Sequence, residues 1–266
     1  MTLALVTGAS SGIGADISRA LAARGHDLVL VARDKPSLER LANSLIAEHD
    51  VHAVAVPADL TDLGDLDTVT ELARRADILV NNAGACLGRS LEHTTWDHEH
   101  HMLVLNVLAP TRLTHAALPA MLERRAGRIL TVSSVAALAP VWRGTTYAPS
   151  KAFALALTQS LARSHRVRRS PVALTALVLG HTVSEFHARA GIAPSPRLLT
   201  LPGPYVAEKA VSAIHRRRPP IEFTPSLRYK VISRILRHTP HLLLTLPRLT
   251  DDFTVNRPVS GRDSIP

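Results

Sequence analysis

Residues 3–14 read Leu-Ala-Leu-Val-Thr-Gly-Ala-Ser-Ser-Gly-Ile-Gly. The apolar run from Leu3 to Val6 has the character of a short buried strand. Gly8, Gly12 and Gly14 follow as a turn, and Ile13, Ile17, Ala20 and Leu21 then recur at helical spacing. A strand that passes through a glycine turn into a helix aims backbone N–H groups and a helix N-terminus at one point. That arrangement suits a pyrophosphate. Glycine lets the backbone come close to phosphates, because a Cβ would stand in the way. The same pattern without a ligand is an ordinary strand-to-helix loop.

Outward from this stretch, apolar runs alternate with helical patterns. Residues 27–32, 51–56, 78–80, 128–132, 172–179 and 221–223 read as further strands. Leu38, Leu41, Leu45 and Ile46 share a helical face, and helices are expected over 63–75, 95–124, 147–164 and 204–217. Pro110 and Pro119 are expected to bend the long helix. The rhythm predicts an α/β fold, a doubly wound parallel sheet of about seven strands with helices on both faces. Ligands of such sheets sit beyond the carboxyl ends of the strands. Gly8, Ala32, Asp59, Asn82, Ser134 and Gly180 all fall at or just after those ends, so one crevice could gather them.

The spacing Thr7-Gly8-x-x-x-Gly12-x-Gly14 resembles that of the short-chain dehydrogenase/reductase family. The resemblance covers residues 2–190 and extends more weakly to 225. It implies a Rossmann-like domain over 1–225 that binds a nicotinamide dinucleotide. In this reading Gly8, Ser10, Ser11, Gly12, Ile13 and Gly14 form the phosphate turn. The family also places Asp59 and Leu60 at the adenine, where the alternative for Asp59 is a helix N-terminal acid before Thr61. Asn82-Ala83-Gly84 matches its Asn-Ala-Gly turn beside the adenosine ribose.

Cofactor choice turns on the end of strand two, which reads Val31-Ala32-Arg33-Asp34. An acid at this strand end would bind a ribose 2′-hydroxyl and select NAD. Ala32 stands where NAD-using members carry that acid, and Arg33 follows it. A guanidinium fork fits a 2′-phosphate, so NADP(H) is expected and NAD(H) stays open. Two features hold the alternative open. Asp34 could be the acid if the strand end shifts by one residue, and Ser11 stands where some NADP-using relatives carry a second basic residue.

Tyr147 and Lys151 are four apart, which puts them on one helical face. Pro149 between them is tolerable only near the helix start. Ser134 precedes Tyr147 at the family's interval, and Asn106 in Leu-Asn-Val-Leu-Ala-Pro matches its active-site asparagine. A neighbouring ammonium and a cationic nicotinamide would lower the phenol pKa from its usual value near 10. The resemblance implies that Tyr147 gives a proton to the substrate oxygen while Ser134 fixes that oxygen. It also implies that Lys151 binds the nicotinamide ribose and that Asn106 holds a water. After strand six the family's Pro-Gly is Leu179-Gly180 here, and Ser184 takes the place of the threonine that meets the nicotinamide amide.

The expected activity is interconversion of a carbonyl and a secondary alcohol on a small-molecule substrate. Leu138, Val141 and Trp142, with Phe186, Ile192, Leu198, Leu199 and Leu201 of a lid over 185–202, point to an apolar substrate: a ketone, a steroid-like compound or a 3-oxoacyl compound. The competing reading is a redox sensor that binds NADP(H) without catalysis.

Bulk properties bound the rest. The 266 residues are 46% hydrophobic, enough for a sizeable core. The net charge of +9 admits nucleic acid, an anionic membrane or an anionic cofactor as partners. Only 3% of residues are aromatic and no nucleic-acid motif is visible, which argues against DNA or RNA. One cysteine, Cys86, rules out an internal disulfide. A strand starting at residue 2 or 3 leaves no room for a secretory leader, so a cytoplasmic protein is expected. No metal site is expected, His98, Glu99, His100 and His101 being read as a polar helix face near the surface. Residues 226–266 form a basic, amphipathic extension. Leu227, Val231, Ile232, Ile235 and Leu236 can share a face among Arg228, Lys230, Arg234 and Arg237, and an apolar run follows at 241–246. This extension could touch an anionic membrane, cover the cleft or meet a second subunit, and a homo-oligomer is expected.

Overall fold

The computed structural model describes residues 2–139, 145–182 and 199–238. Val141, Trp142, Ser184, residues 185–198 of the expected lid and the apolar run at 241–246 lie outside these.

Seven parallel strands form one sheet in the order β3-β2-β1-β4-β5-β6-β7. They are β1 (Leu3–Thr7), β2 (Asp27–Ala32), β3 (Ala53–Pro57), β4 (Ile78–Asn81), β5 (Arg128–Ser134), β6 (Ala173–Leu179) and β7 (Glu222–Phe223). The helices are α1 (Gly12–Ala22), α2 (Lys35–His49), α3 (Leu63–Arg75), α4 (Trp96–Leu103), α5 (Ala109–Arg124), α6 (Tyr147–Arg163), α7 (His165–Arg168), α8 (Gly203–Ile214) and α9 (Leu227–His238).

Side chains alternate across a strand, so each strand feeds two cores. Ala4, Val6, Leu28, Leu30, Val80 and Leu130 pack with Ile17 and Leu21 of α1, Leu38 and Leu45 of α2, and Val206 and Val211 of α8. Leu5, Val29, Val31, Leu79 and Ile129 face the other way, onto Val69 of α3, Leu113 and Met121 of α5, and Ala162 of α6. Short polar side chains start the helices. Asp34, Asp62 and Thr95 accept from the N–H groups of Ser37, Asp65 and His98, each cap contributing about 1 kcal/mol.

The long helix expected over 95–124 is divided. Between α4 and α5 the chain widens into a π turn, Val104–Leu108. Pro110 sits in the first turn of α5, where its missing N–H costs no bond, and Pro119 is accommodated inside that helix. The widened turn carries Asn106. Strand order reverses between β1 and β4, and the connections that follow place the turns after β1, β2, β4, β5 and β6 along one edge of the sheet.

Candidate active site

A crevice of about 470 Å³ lies along that edge. Its wall includes Gly8, Ser10, Ser11, Gly12, Ile13 and Gly14 from the first turn. Arg33, Asp59 and Leu60 line it beside β2 and β3, Asn82, Ala83 and Gly84 follow β4, and Ser134, Tyr147 and Lys151 close the far end. Fifteen of the residues singled out from sequence thus meet in one space.

The glycine turn is held by its neighbour. Thr7 Oγ1 donates to the Val80 carbonyl and accepts from the N–H groups of Asn82 and Ala83, at 3.0 Å each. Asn82 Nδ2 returns bonds to the carbonyls of Thr7 and Gly8 at 2.9 and 3.2 Å. Gly8 takes φ +65°, a region side chains disfavour. Gly14 lies so close to that turn that a Cβ would sit 2.1 Å from the Gly8 carbonyl oxygen. α1 starts at Gly12 with no side-chain cap from Ser11, and its first N–H groups belong to the turn that lines the crevice. A tight glycine turn ahead of such a helix start fits a dinucleotide pyrophosphate.

At the β2 end, the Arg33 guanidinium is half-exposed and lies 3.9 Å from the Asp59 carboxylate. Asp34 reaches the crevice wall, but its carboxylate accepts from Ser37 N at 3.1 Å and Ser37 Oγ at 2.6 Å. It is engaged as the cap of α2. Asp59 also accepts from Thr61 N and Oγ1 in a turn ahead of α3. The acid that caps that helix is Asp62, so the helix-terminal alternative for Asp59 does not hold, while Asp59 does line the wall. Burial disfavours the Asp59 charge, yet the Thr61 bonds and Arg33 leave its pKa below the usual value.

At the other end α6 begins at Tyr147, so Pro149 falls in its first turn, as the Tyr-x-x-x-Lys spacing requires. The Tyr147 hydroxyl shares a hydrogen bond with Ser134. Lys151 Nζ lies 5.9 Å from the centre of the tyrosine ring and donates to the Val132 carbonyl at 3.2 Å. Ser133 Oγ, beside Ser134, holds the Lys151 carbonyl at 2.8 Å. Tyr147 and Lys151 are 6% exposed, and that burial shifts both of their pKa values. It pulls Lys151 down to about 8. It drives the Tyr147 phenol well above its ordinary value, with Cys86 adding and the Ser134 bond opposing. The expected lowering invokes the cationic nicotinamide together with the ammonium; among the protein groups, desolvation is the largest influence on this phenol.

Asn106 lies one layer behind the crevice. Its Oδ1 accepts from Ala85 N at 2.9 Å, while Nδ2 donates to the Ala85 carbonyl at 2.9 Å and to Ser150 Oγ at 3.0 Å. Ser150 Oγ donates in turn to the Tyr147 carbonyl at 2.7 Å. Both amide hydrogens are used, so the side chain braces the wall and leaves an expected water only the second Oδ1 lone pair.

Two residues escaped the sequence reading. Glu99 is not a surface group: it is 4% exposed and accepts from Thr94 Oγ1 at 2.7 Å and from Thr146 Oγ1. It thereby fixes the residue just before Tyr147. His101 lines the crevice near Asp59 and Arg33 rather than a helix face in solvent. The sequence shows a polar run at 98–101 but not what packs against it: Thr94 and Thr146 around Glu99, and the crevice beside His101, come from other segments. Ser184 falls outside the described residues. Among the described residues no three His, Cys, Asp or Glu side chains converge as a metal site would need.

The residues 2–192 match the family model for short chain dehydrogenase. A fatty acyl-CoA reductase of Acinetobacter baylyi is 34% identical over 184 residues, 66% of this chain and 61% of the relative. The oxidoreductase UcpA of Salmonella typhimurium is 39% identical over 165 residues, 60% of this chain and 62% of the relative. The matched part thus spans about three fifths of the length of these curated relatives. A solved short-chain dehydrogenase from Sphingobium yanoikuyae, in complex with NADPH, is 33% identical with a TM-score of 0.78, covering 88% of this chain and 93% of that one. A bulky-bulky ketone specific alcohol dehydrogenase from Comamonas testosteroni is 30% identical with a TM-score of 0.72, covering 88% and 91%. With the strand order, the glycine turn and the Ser-Tyr-Lys cluster in one crevice, these matches make the chain a member of the short-chain dehydrogenase family.

Proposed function

We propose that this chain is an NADP(H)-dependent oxidoreductase that interconverts a carbonyl and a secondary alcohol. One observation carries the reading. The Tyr147 hydroxyl, bonded to Ser134 and backed by Lys151, faces the crevice into which the glycine turn also opens.

When bound, the nicotinamide supplies or accepts hydride at the substrate carbon. The remaining work belongs to side chains of this protein. Tyr147, protonated at neutral pH, gives its proton to the substrate oxygen in the reductive direction. Ser134 hydrogen-bonds the same oxygen and fixes its direction. Lys151 holds the nicotinamide ribose and supplies positive charge behind the phenol. Residues 10–14 and the start of α1 hold the pyrophosphate, Asn82–Gly84 the adenosine ribose, and Asp59 with Leu60 the adenine. Ser184 would serve the nicotinamide amide.

Arg33 supports NADP(H) over NAD(H), because the nearby Asp34 is occupied as a helix cap. Ala85, Cys86, Leu105 and Leu179 give the catalytic end an apolar lining, which favours a ketone, steroid-like or 3-oxoacyl substrate. The names of the acyl-CoA reductase and the bulky-ketone dehydrogenase point the same way. A homo-oligomer is part of the reading by family resemblance. The outer stripe of α9 supports peripheral contact with an anionic membrane, the protein otherwise being cytoplasmic.

The test is turnover of ketones and 3-oxoacyl thioesters, followed at the nicotinamide absorbance. NADPH should exceed NADH in kcat/KM by about tenfold or more, the worth of a charged hydrogen bond. Tyr147→Phe should lower kcat by about 10²–10⁴-fold with NADPH binding retained. NADPH binding by the wild type without turnover on any carbonyl would favour the sensor instead.

A further inference from the structure

Helix α9 follows the sheet, and one of its residues reaches the crevice wall. Tyr229 is 5% exposed. Its ring lies against Gly180, where an added Cβ would stand 1.9 Å from the ring carbon that bears the hydroxyl. That hydroxyl accepts from the His181 N–H at 2.8 Å and donates to the Leu199 carbonyl at 2.5 Å. The two backbone segments it joins also pair with each other. Leu201 N–H donates to the His181 carbonyl at 2.9 Å, and Thr182 bridges to Leu201. Gly180 and Thr182 both line the crevice, as does Leu179 at the end of β6.

We infer that Tyr229 is a positioning residue for the active site proposed above: its ring and hydroxyl fix the backbone of residues 180–182, the β6 wall of the crevice. The inference rests on the oxidoreductase reading for its functional consequence. Its physical basis is independent of that reading. A buried hydroxyl that serves one N–H and one carbonyl holds two stretches of backbone at a fixed separation. Gly180 admits the ring only because it has no side chain. Burial keeps the Tyr229 phenol protonated, so the donor to Leu199 is retained at neutral pH. A shift of residues 180–182 would move this wall of the crevice that Tyr147 also lines and change how a substrate is oriented, while the proton donor itself stays in place.

The experiment uses the full chain and two variants. Tyr229→Phe keeps the ring and removes both bonds. Gly180→Ala keeps the hydroxyl but forces the ring away. Hydrogen exchange at the amides of His181 and Leu201 should speed up by about tenfold in Tyr229→Phe, with exchange in β1 and β4 unchanged. For a ketone substrate KM should rise by about tenfold and kcat by less than about twofold in either direction. Gly180→Ala should raise KM similarly in the wild type but add little in a Tyr229→Ala background, since the clash is then gone. Unchanged exchange at His181 and Leu201, or a loss of kcat and KM alike that simply tracks thermal stability, would overturn the inference. If the wild type turns over no carbonyl, the oxidoreductase reading fails, and the exchange result still decides whether Tyr229 holds this wall.

Discussion

Lys151 is a buried cation whose Nζ donates to a neutral carbonyl, that of Val132. Burial lowers its pKa to about 8. In an unfolded chain a lysine keeps its proton to about 10.4. Between those two values the unfolded chain binds more proton than the folded one, so this group's contribution moves toward stability as pH rises from about 8 to about 10.4. Below that window the buried ammonium is a constant cost. Function runs the other way. If the ammonium supports the phenol and the ribose, reductive kcat/KM should hold across neutral pH and fall as pH rises past about 8, while thermal stability does not fall in step. Lys151→Arg should move the falling limb upward by more than one pH unit, because a guanidinium does not lose its proton there. A pH profile in which the wild type and Lys151→Arg decline together would remove Lys151 from this role. The identity of these residues was legible from their spacing and position together with the family resemblance. Their pKa shifts were not, because burial is a property of the fold.

At the scale of elements, the decisive contact is between the first turn and α1. Gly14 is already helical, and its conformation would suit any residue. Its constraint is distance: a Cβ would stand 2.1 Å from the Gly8 carbonyl and 2.5 Å from Asn82 Nδ2. The Asn82 side chain is itself tied to Thr7 and Gly8, so it has no room to yield. Gly14→Ala should therefore push α1 off the turn, cost about 1–3 kcal/mol in thermal unfolding and weaken NADPH binding by about tenfold or more. Full NADPH affinity in a Gly14→Ala protein would show that the turn does not hold the pyrophosphate. The motif marked Gly14 from sequence, but not the reason. The widened turn at Val104–Leu108 is the converse case. Its residues look like continuous helix, because the apolar pattern carries no mark of one extra residue per turn. Asn106 lies in that widened turn and bonds inward to Ala85 and Ser150, so it braces the wall whatever else it holds.

Over the whole molecule, α9 shows how docking divides a helix. The sequence groups Leu227, Val231, Ile232, Ile235 and Leu236 on one side. In the structure Tyr229, Ser233 and Leu236 turn inward, and Leu227, Val231 and Ile235 are exposed at 76%, 53% and 47%. The outward three follow a spacing of four and stand among Arg228, Lys230 and Arg234, with no acid in the helix. Such a stripe fits an anionic lipid surface. The chain should sediment with vesicles rich in phosphatidylserine and release them as salt rises, since screening weakens the basic contribution. Val231→Glu should lower the bound fraction by about tenfold, the worth of one apolar side chain. Equal binding to neutral vesicles, or none to either, would exclude this contact. No helix among the described residues is long and apolar enough to cross a membrane.

The sequence by itself determined the order of strands and helices, the glycine turn and the Ser-Tyr-Lys spacing. Each is written in local periodicity or in residue types that only one backbone geometry accommodates. The tertiary structure alone decided that Glu99 is buried against Thr146, that Asp34 is engaged as a cap while Arg33 lies half-exposed on the crevice wall, and that Tyr229 lies under Gly180. Those pairings join segments far apart in the chain, or depend on where a helix face points after docking. Distance in space, which sets desolvation and hydrogen bonding, has no counterpart in the spacing of letters.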